Sequence, residues 1–114
     1  MIGFSRAIRV GDRVCVSGTG PFWPDGSCAP DAGAQAKRCF EIIAGSLSSL
    51  GATLDDVVRT RMYLTSSGDA GAVGAVHAAV LGSARPAATM VVVAALLDPR
   101  WKVEIEAEAV VSGE

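Results

Sequence analysis

The chain has 114 residues, of which 50% are hydrophobic, 5% aromatic and 19% charged, with a net charge of −2. One domain is expected from that length, and the apolar fraction excludes disorder. A sequence pI near 5.3 with scattered basic residues argues against a nucleic-acid binder. Mean hydropathy is +0.38, high for a small domain that buries only about two-thirds of its unfolded surface. The longest apolar stretch, Ala87 to Leu97, is interrupted by Thr89 and ends at Asp98-Pro99. It falls short of the roughly 18 residues a membrane span needs, so burial between subunits is the expected outlet for the surplus. Cys15, Cys28 and Cys39 form no CxxC pair and His77 is the single histidine, which leaves neither a zinc site nor a disulfide framework. Met1 to Arg6 lacks a basic region followed by an apolar stretch, so a reducing cytoplasm is the expected location.

In chain order, Ser5–Val10 and Arg13–Ser17 read as a hairpin turned at Gly11-Asp12. A Gly/Pro-rich loop follows to Pro30 and carries Phe22 and Trp23, which serve either as a lid over a cleft or as cover for the loop itself. Ala32–Leu50 reads as a helix. Ala36, Cys39, Phe40, Ile43, Leu47 and Leu50 form its apolar stripe, while Gln35, Lys37, Arg38 and Glu41 take the polar side. Asp31 is its cap and Gly51 its left-handed stop. Val57–Thr65 reads as a strand with Val58, Thr60, Met62 and Leu64 on one face and Val57, Arg59, Arg61 and Tyr63 on the other. A second helix is expected over Ala70–Leu81, with Val73, Val76, Ala79 and Val80 inward and Gly82 closing it; Gly71 and Gly74 each lower its propensity by about 1 kcal/mol. Ala88–Ala94 reads as an apolar strand. Trp101–Val111 alternates: Trp101, Val103, Ile105, Ala107 and Ala109 face one way, Lys102, Glu104, Glu106 and Glu108 the other.

The order β-β-α-β-α-β-β implies a single α+β domain over residues 1–114, a mixed sheet with both helices packed on one face. The other face then carries Arg59, Arg61, Glu104, Glu106 and Glu108, which pair across strands or meet another subunit. Cys15 and Cys39 fall on apolar faces and read as small core residues. Cys28 lies in a loop without an adjoining base, and His77 reads as a surface or capping residue. Ser17 lacks the nucleophile-elbow pattern of a hydrolase triad.

Phe4-Ser5-Arg6-Ala7, Val16-Ser17-Gly18, Gly51-Ala52-Thr53-Leu54-Asp55-Asp56-Val57-Val58, Pro86-Ala87 before an apolar strand, and Val103-Glu104-Ile105-Glu106-Ala107 together resemble the RidA/YjgF family. The resemblance runs in order over nearly the whole chain. It implies a chorismate-mutase-like subunit in a homotrimer, with a small-molecule cleft between subunits; that the chain meets neither nucleic acid nor membrane is expected from its charge and from its short apolar stretch instead. It further implies hydrolysis of reactive enamines and imines, such as 2-aminoacrylate, to a 2-keto acid and ammonia without metal or cofactor. In the family an arginine after Pro-Ala holds the substrate carboxylate, the first glutamate of Glu-Ile-Glu-Ala positions water, and a tyrosine, an asparagine in the second helix and the backbone of the arginine strand complete the pocket; a Ser-Gly pair marks the family's second strand. Here the glutamate is Glu104 and the Ser-Gly pair is Ser17-Gly18, but the arginine position is Ala88, the tyrosine position Phe4 and the asparagine position Gly74.

A pocket lined by Phe4, Gly74, Ala88 and Met90 is roomier and less polar than the family's. Losing a bidentate arginine contact removes roughly 1.5–3 kcal/mol of binding. Arg6 or Arg85 is a candidate replacement. Glu104 is either the general base or one more member of the Arg59/Arg61 row. The expected protein is thus a trimer that acts on or binds an enamine, imine or related carbonyl metabolite rather than performing standard 2-aminoacrylate deamination. The alternatives are a non-catalytic metabolite-binding trimer and a protein-interaction trimer. The family's endoribonuclease label sits poorly with the charge of −2.

Overall fold

A computed structural model describes residues 2–112. Five strands, β1 (Ala7–Val10), β2 (Arg13–Thr19), β3 (Val57–Leu64), β4 (Ala87–Val92) and β5 (Val103–Val110), form one sheet in the order β1-β2-β5-β3-β4. β4 runs parallel to β3 and every other neighbour is antiparallel. Helices α1 (Ala32–Ser49) and α2 (Ala70–Leu81) follow the expected order, and the α+β fold with its mixed sheet stands. No helix among the described residues is long and apolar enough to cross a membrane.

Local chemistry accounts for the element ends. Gly11, at φ +61°, makes the β1–β2 turn. The Asp31 carboxylate accepts the Ala34 N–H at 2.9 Å and starts α1. At its other end Gly51 sits at φ +82°, with Gly51 N–H bonded to Ser48 O (3.1 Å) and Ala52 N–H to Leu47 O (2.9 Å), a Schellman motif. The core lies between α1 and the sheet. Phe40, Ile43 and Leu47 of α1 meet Val14, Leu64, Val103 and Ile105, all buried.

Several expectations fail at particular residues. Val57 is buried and Val58 exposed, because a register shift against β5 between Val57 and Arg59 adds a residue and reverses the alternation at the strand's start. Ala79 faces solvent: α2 is inward only at Val73 and Leu81, with Val76 and Val80 partly covered. Gly82 does close α2 as its C-cap, but at a helical φ of −60°, and the positive φ falls at Arg85, +49°. β4 starts at Ala87 and ends at Val92, and β5 begins two residues after Trp101. Cys15 is exposed rather than in the core, since it stands opposite Glu108 on the open face; Cys39 is buried as expected. His77 is not a free surface group. Its Nε2 lies 2.8 Å from Thr60 Oγ1 and its ring meets Phe40 edge-on.

The largest departure is Gln35. Placed on the polar side of α1 by periodicity, it is fully buried. Its amide Nε2 donates to Ala29 O (2.7 Å) and Arg100 O (3.0 Å), and its Oε1 accepts Lys102 N–H at 2.7 Å. A buried amide with three backbone partners is satisfied and costs little to cover.

Candidate functional site

The face of the sheet away from the helices carries two different kinds of glutamate. Register places Glu108 opposite Arg59, Glu106 opposite Arg61 and Glu104 opposite Tyr63. Arg61 lies 3.5 Å from Glu106 and 3.4 Å from Glu108, and Arg13 reaches Glu108 at 2.9 Å. The Tyr63 hydroxyl donates to Glu106, which holds that phenol's pKa above its ordinary value. Glu106 and Glu108 are therefore built into a cross-strand ladder.

Glu104 stands outside it. No ion pair or hydrogen bond reaches its carboxylate among the described residues, and Arg61 pairs with its two neighbours instead. Its side chain lies against Gly18, where an added Cβ would fall inside the carboxylate. Burial, and after it the nearby Glu106 charge, push the Glu104 carboxyl above the ordinary carboxylate value, with Arg6 pulling the other way. This removes the row-member reading of Glu104 within one subunit.

β2 builds the platform beneath it. Its alternation breaks between Val16 and Thr19, where the pairing with β5 shifts register, so Ser17 and Gly18 turn outward and Thr19 turns into the core. Ser17 Oγ donates to Ser5 O (2.6 Å) and Ser17 N–H to Arg6 O (3.0 Å), which ties the N-terminal segment alongside. Arg6 Nη1 then donates to Thr19 Oγ1 at 2.5 Å. Cys39, its thiol pushed up to about 12 mainly by burial, donates to Thr19 O. Thr19 is the residue that sequence reasoning missed; the signal was the small-residue run Ser17-Gly18-Thr19-Gly20 within a strand.

The predicted site residues fall into two groups in the subunit. Arg6, Ser17, Gly18 and Glu104 come together. Phe4 lies in an adjoining hollow of about 420 Å³ with Ile8, Cys15, Ser17 and Glu106. Gly74, Ala88 and Met90 belong to the other side: Ala88 and Met90 pair with Thr60 and Met62, whose side chains point to the helices, and Gly74 lies on α2. A Cβ at Gly74 would meet nothing within 4 Å, so the position faces open space. Arg85 lines a separate hollow with His77, Leu81 and Pro86.

Phe22 and Trp23 cover the loop: Phe22 stacks on Trp101 at 6.4 Å, and Arg38 lies 3.9 Å over the Trp23 ring while bonding Phe22 O. Gly20 makes room for the Trp101 indole, whose Nε1 is buried without a protein partner. A hollow of about 780 Å³ lies beyond Trp101 between Cys28–Pro30 and residues 94–102, and none of the predicted site residues lines it. No cluster of metal-ligating side chains occurs among the described residues.

The profile of the endoribonuclease L-PSP family matches residues 1–111. The chain belongs to this family, the YjgF/RidA group. Its fold is similar to a Mycobacterium tuberculosis member of the YjgF/YER057c/UK114 family, with 44% identity and a TM-score of 0.89 over 96% of this chain and 88% of that one. It is similarly close to a protein described as RidA from an Antarctic Psychrobacter, with 34% identity, a TM-score of 0.89, and 96% and 89% of the two chains covered. A RutC family protein of Pyrococcus abyssi is 35% identical over 109 residues, 94% of this chain and 84% of that protein. Within this YjgF/RidA subunit, Glu104 and Gly18 lie together with Ser17 beside them, while Ala88 and Gly74 lie on the opposite side of the sheet.

Proposed function

We propose that the protein is a homotrimer with a small-molecule cleft between subunits, in which Glu104 acts on an enamine, imine or related carbonyl metabolite other than 2-aminoacrylate. The observation that carries this reading is the isolation of Glu104: alone among the three glutamates of β5 it has no cationic partner among the described residues, and its carboxyl is raised by burial. A carboxylate raised toward neutral pH is a stronger base than an exposed one. In the proposed step it takes a proton from water as the water oxygen bonds to the C=N carbon. Glu104 returns that proton to the nitrogen to give the carbinolamine, then carries the carbinolamine's hydroxyl proton to the nitrogen as the C–N bond breaks, leaving ammonia and the carbonyl compound.

Assembly is supported by where apolar side chains stay exposed. Ile8 and Val10 on β1, Val91 and Val92 on β4, and Leu97 are all open in the single subunit. In a trimer Ala88 and Gly74 of one subunit would approach Glu104 of the next, as the resemblance implies. Neither residue supplies a polar side chain there, which argues against a small, strongly acidic imine as substrate. The same absence favours a second reading, a trimer that binds a metabolite without turning it over. RNA cleavage, which the family's name suggests, finds no support in a chain of net charge −2.

The test has two parts. Light scattering should give three times the 11.6 kDa subunit mass. Ammonia release from an enzymatically generated pool of 2-aminoacrylate should stay near the spontaneous rate, and Ala88→Arg should raise it. Rapid release by the native chain would overturn the proposed substrate choice.

A further inference from the structure

The hollow of about 780 Å³ beyond Trp101 is lined by none of the residues gathered around Glu104, and its walls are held rather than slack. Gln35, fully buried, ties them together: its Nε2 donates to Ala29 O (2.7 Å) and Arg100 O (3.0 Å), and its Oε1 accepts Lys102 N–H (2.7 Å). The chain between Asp98 and Trp101 is tightened by Trp101 N–H on Asp98 O (3.0 Å) and Arg100 N–H on the Asp98 carboxylate (2.9 Å). A pre-formed concavity of roughly 300–1,000 Å³ is what small-molecule sites use. The lining sorts by chemistry. Pro30, Leu96, Pro99 and Trp101 supply apolar surface, and Phe22 stacks on the Trp101 ring, which fixes its orientation. Arg100 and Lys102 against Asp98 leave one positive charge in the lining. Asp98 is occupied by Arg100, through Nε at 3.0 Å and Nη2 at 2.7 Å, and that Nη2 also donates to Gly26 O. The Lys102 ammonium has no carboxylate in ion-pair range and donates no hydrogen bond among the described residues. Trp101 Nε1 is buried and equally without an acceptor. This corner of the fold therefore holds donor groups and a positive charge without acceptors to match.

We propose that this hollow is a ligand site separate from Glu104 and that its ligand is an aromatic monoanion, with the ring among Pro30, Pro99 and the Trp101 indole and the anionic group on Lys102. Proline and indole present flat faces that favour a planar partner over a flexible chain. The positive charge selects the anion over the same ring system without charge, by the modest margin that an exposed lysine gives. The inference does not rest on the reading of Glu104, so either can fail without the other.

The experiment is a magnetic-resonance titration of the nitrogen-labelled native chain, Lys102→Gln and Glu104→Gln with 8-anilinonaphthalene-1-sulfonate and with N-phenyl-1-naphthylamine, the same ring system without the sulfonate. It is read at the indole N–H signals of Trp23 and Trp101, which Trp23→Phe assigns. The Trp101 signal is expected to move on binding and the Trp23 signal to stay, with the sulfonate held about five-fold more tightly than the neutral ring. Lys102→Gln should erase that preference and leave the neutral affinity unchanged. Glu104→Gln should change neither affinity. A Trp101 signal that moves with neither compound, equal affinities in the native chain, or a preference that survives Lys102→Gln overturns the proposal. So does loss of binding in Glu104→Gln, which would make the hollow part of the Glu104 site. If Lys102→Gln fails to fold, the native chain decides: the preference must shrink as salt is raised, and a preference indifferent to salt overturns the anion site.

Discussion

Glu104 and Glu106 sit two residues apart on one strand, on one face, yet their surroundings have opposite logic. At the Glu106 end both carboxylates have partners: Arg13, Arg61 and Tyr63 tie Glu106 and Glu108 into a ladder across β2, β5 and β3. At the Glu104 end a carboxylate rests on a glycine, and Arg6, whose charge acts on it, bonds a hydroxyl and a carbonyl instead. A paired carboxylate stabilises the sheet a little and is chemically quiet. An unpaired, half-buried one is a stability burden that a fold retains where the group has work to do.

Ile105 lies between the two glutamates and points the other way, into the core, fully buried. Ile105→Ala should cost about 2–5 kcal/mol in urea unfolding, far more than any change on the charged face. A smaller loss would mean that the core does not hold β5 in register. Gly18→Ala should leave the fold in place, because the added methyl meets only the flexible end of Glu104. It displaces the carboxylate, so turnover or ligand affinity should fall about a hundred-fold while the melting temperature stays close to native. Unchanged activity would show that Glu104 does not work from the position against Gly18.

Glu106→Gln tests the quiet end. It removes one arm of the ladder between side chains that are 39% and 32% exposed, so the expected loss is below about 1 kcal/mol, with a far smaller effect on ligand binding than a change at Glu104. A binding defect there as large as at Glu104 would erase the distinction between the two ends. The finest test is pH. Because the folded state raises the Glu104 carboxyl, folding favours its protonated form, and that contribution is lost as pH rises from the unfolded value near 4.5 through the folded one. Glu104→Gln should therefore melt slightly above the native chain at pH 7, with the gap closing below pH 4.5. A gap of the opposite sign at pH 7 would place a cation on the carboxylate.

Much of this was legible before any coordinates. Alternation over 103–109 sorted the β5 faces correctly, and the Asp31 and Gly51 signals ended α1 where it ends, within a residue. What failed was whatever depends on a neighbour distant in sequence. Val57 and Val58 exchange faces because β5 imposes a bulge, and Cys15 is exposed because its partner is Glu108. The site itself was half legible. Glu104, Ser17 and Gly18 carry motif strings, but three glutamates at the same two-residue spacing look alike until Arg61 chooses two of them. Arg6 and Arg85 were equivalent candidates until Thr19, an unremarked residue, held one of them beside Gly18.

Gln35 has a wider reach than its single turn of helix. Its amide grips Ala29 and Arg100 and its oxygen grips Lys102, two residues before Glu104. It works as a gauge block set between α1, the loop that ends at Pro30 and the entry of β5, so the depth at which Glu104 projects is referred to the helix rather than to the loops. A change in the length of either loop should then leave the height of the carboxylate above the sheet in place so long as that amide keeps its three backbone partners.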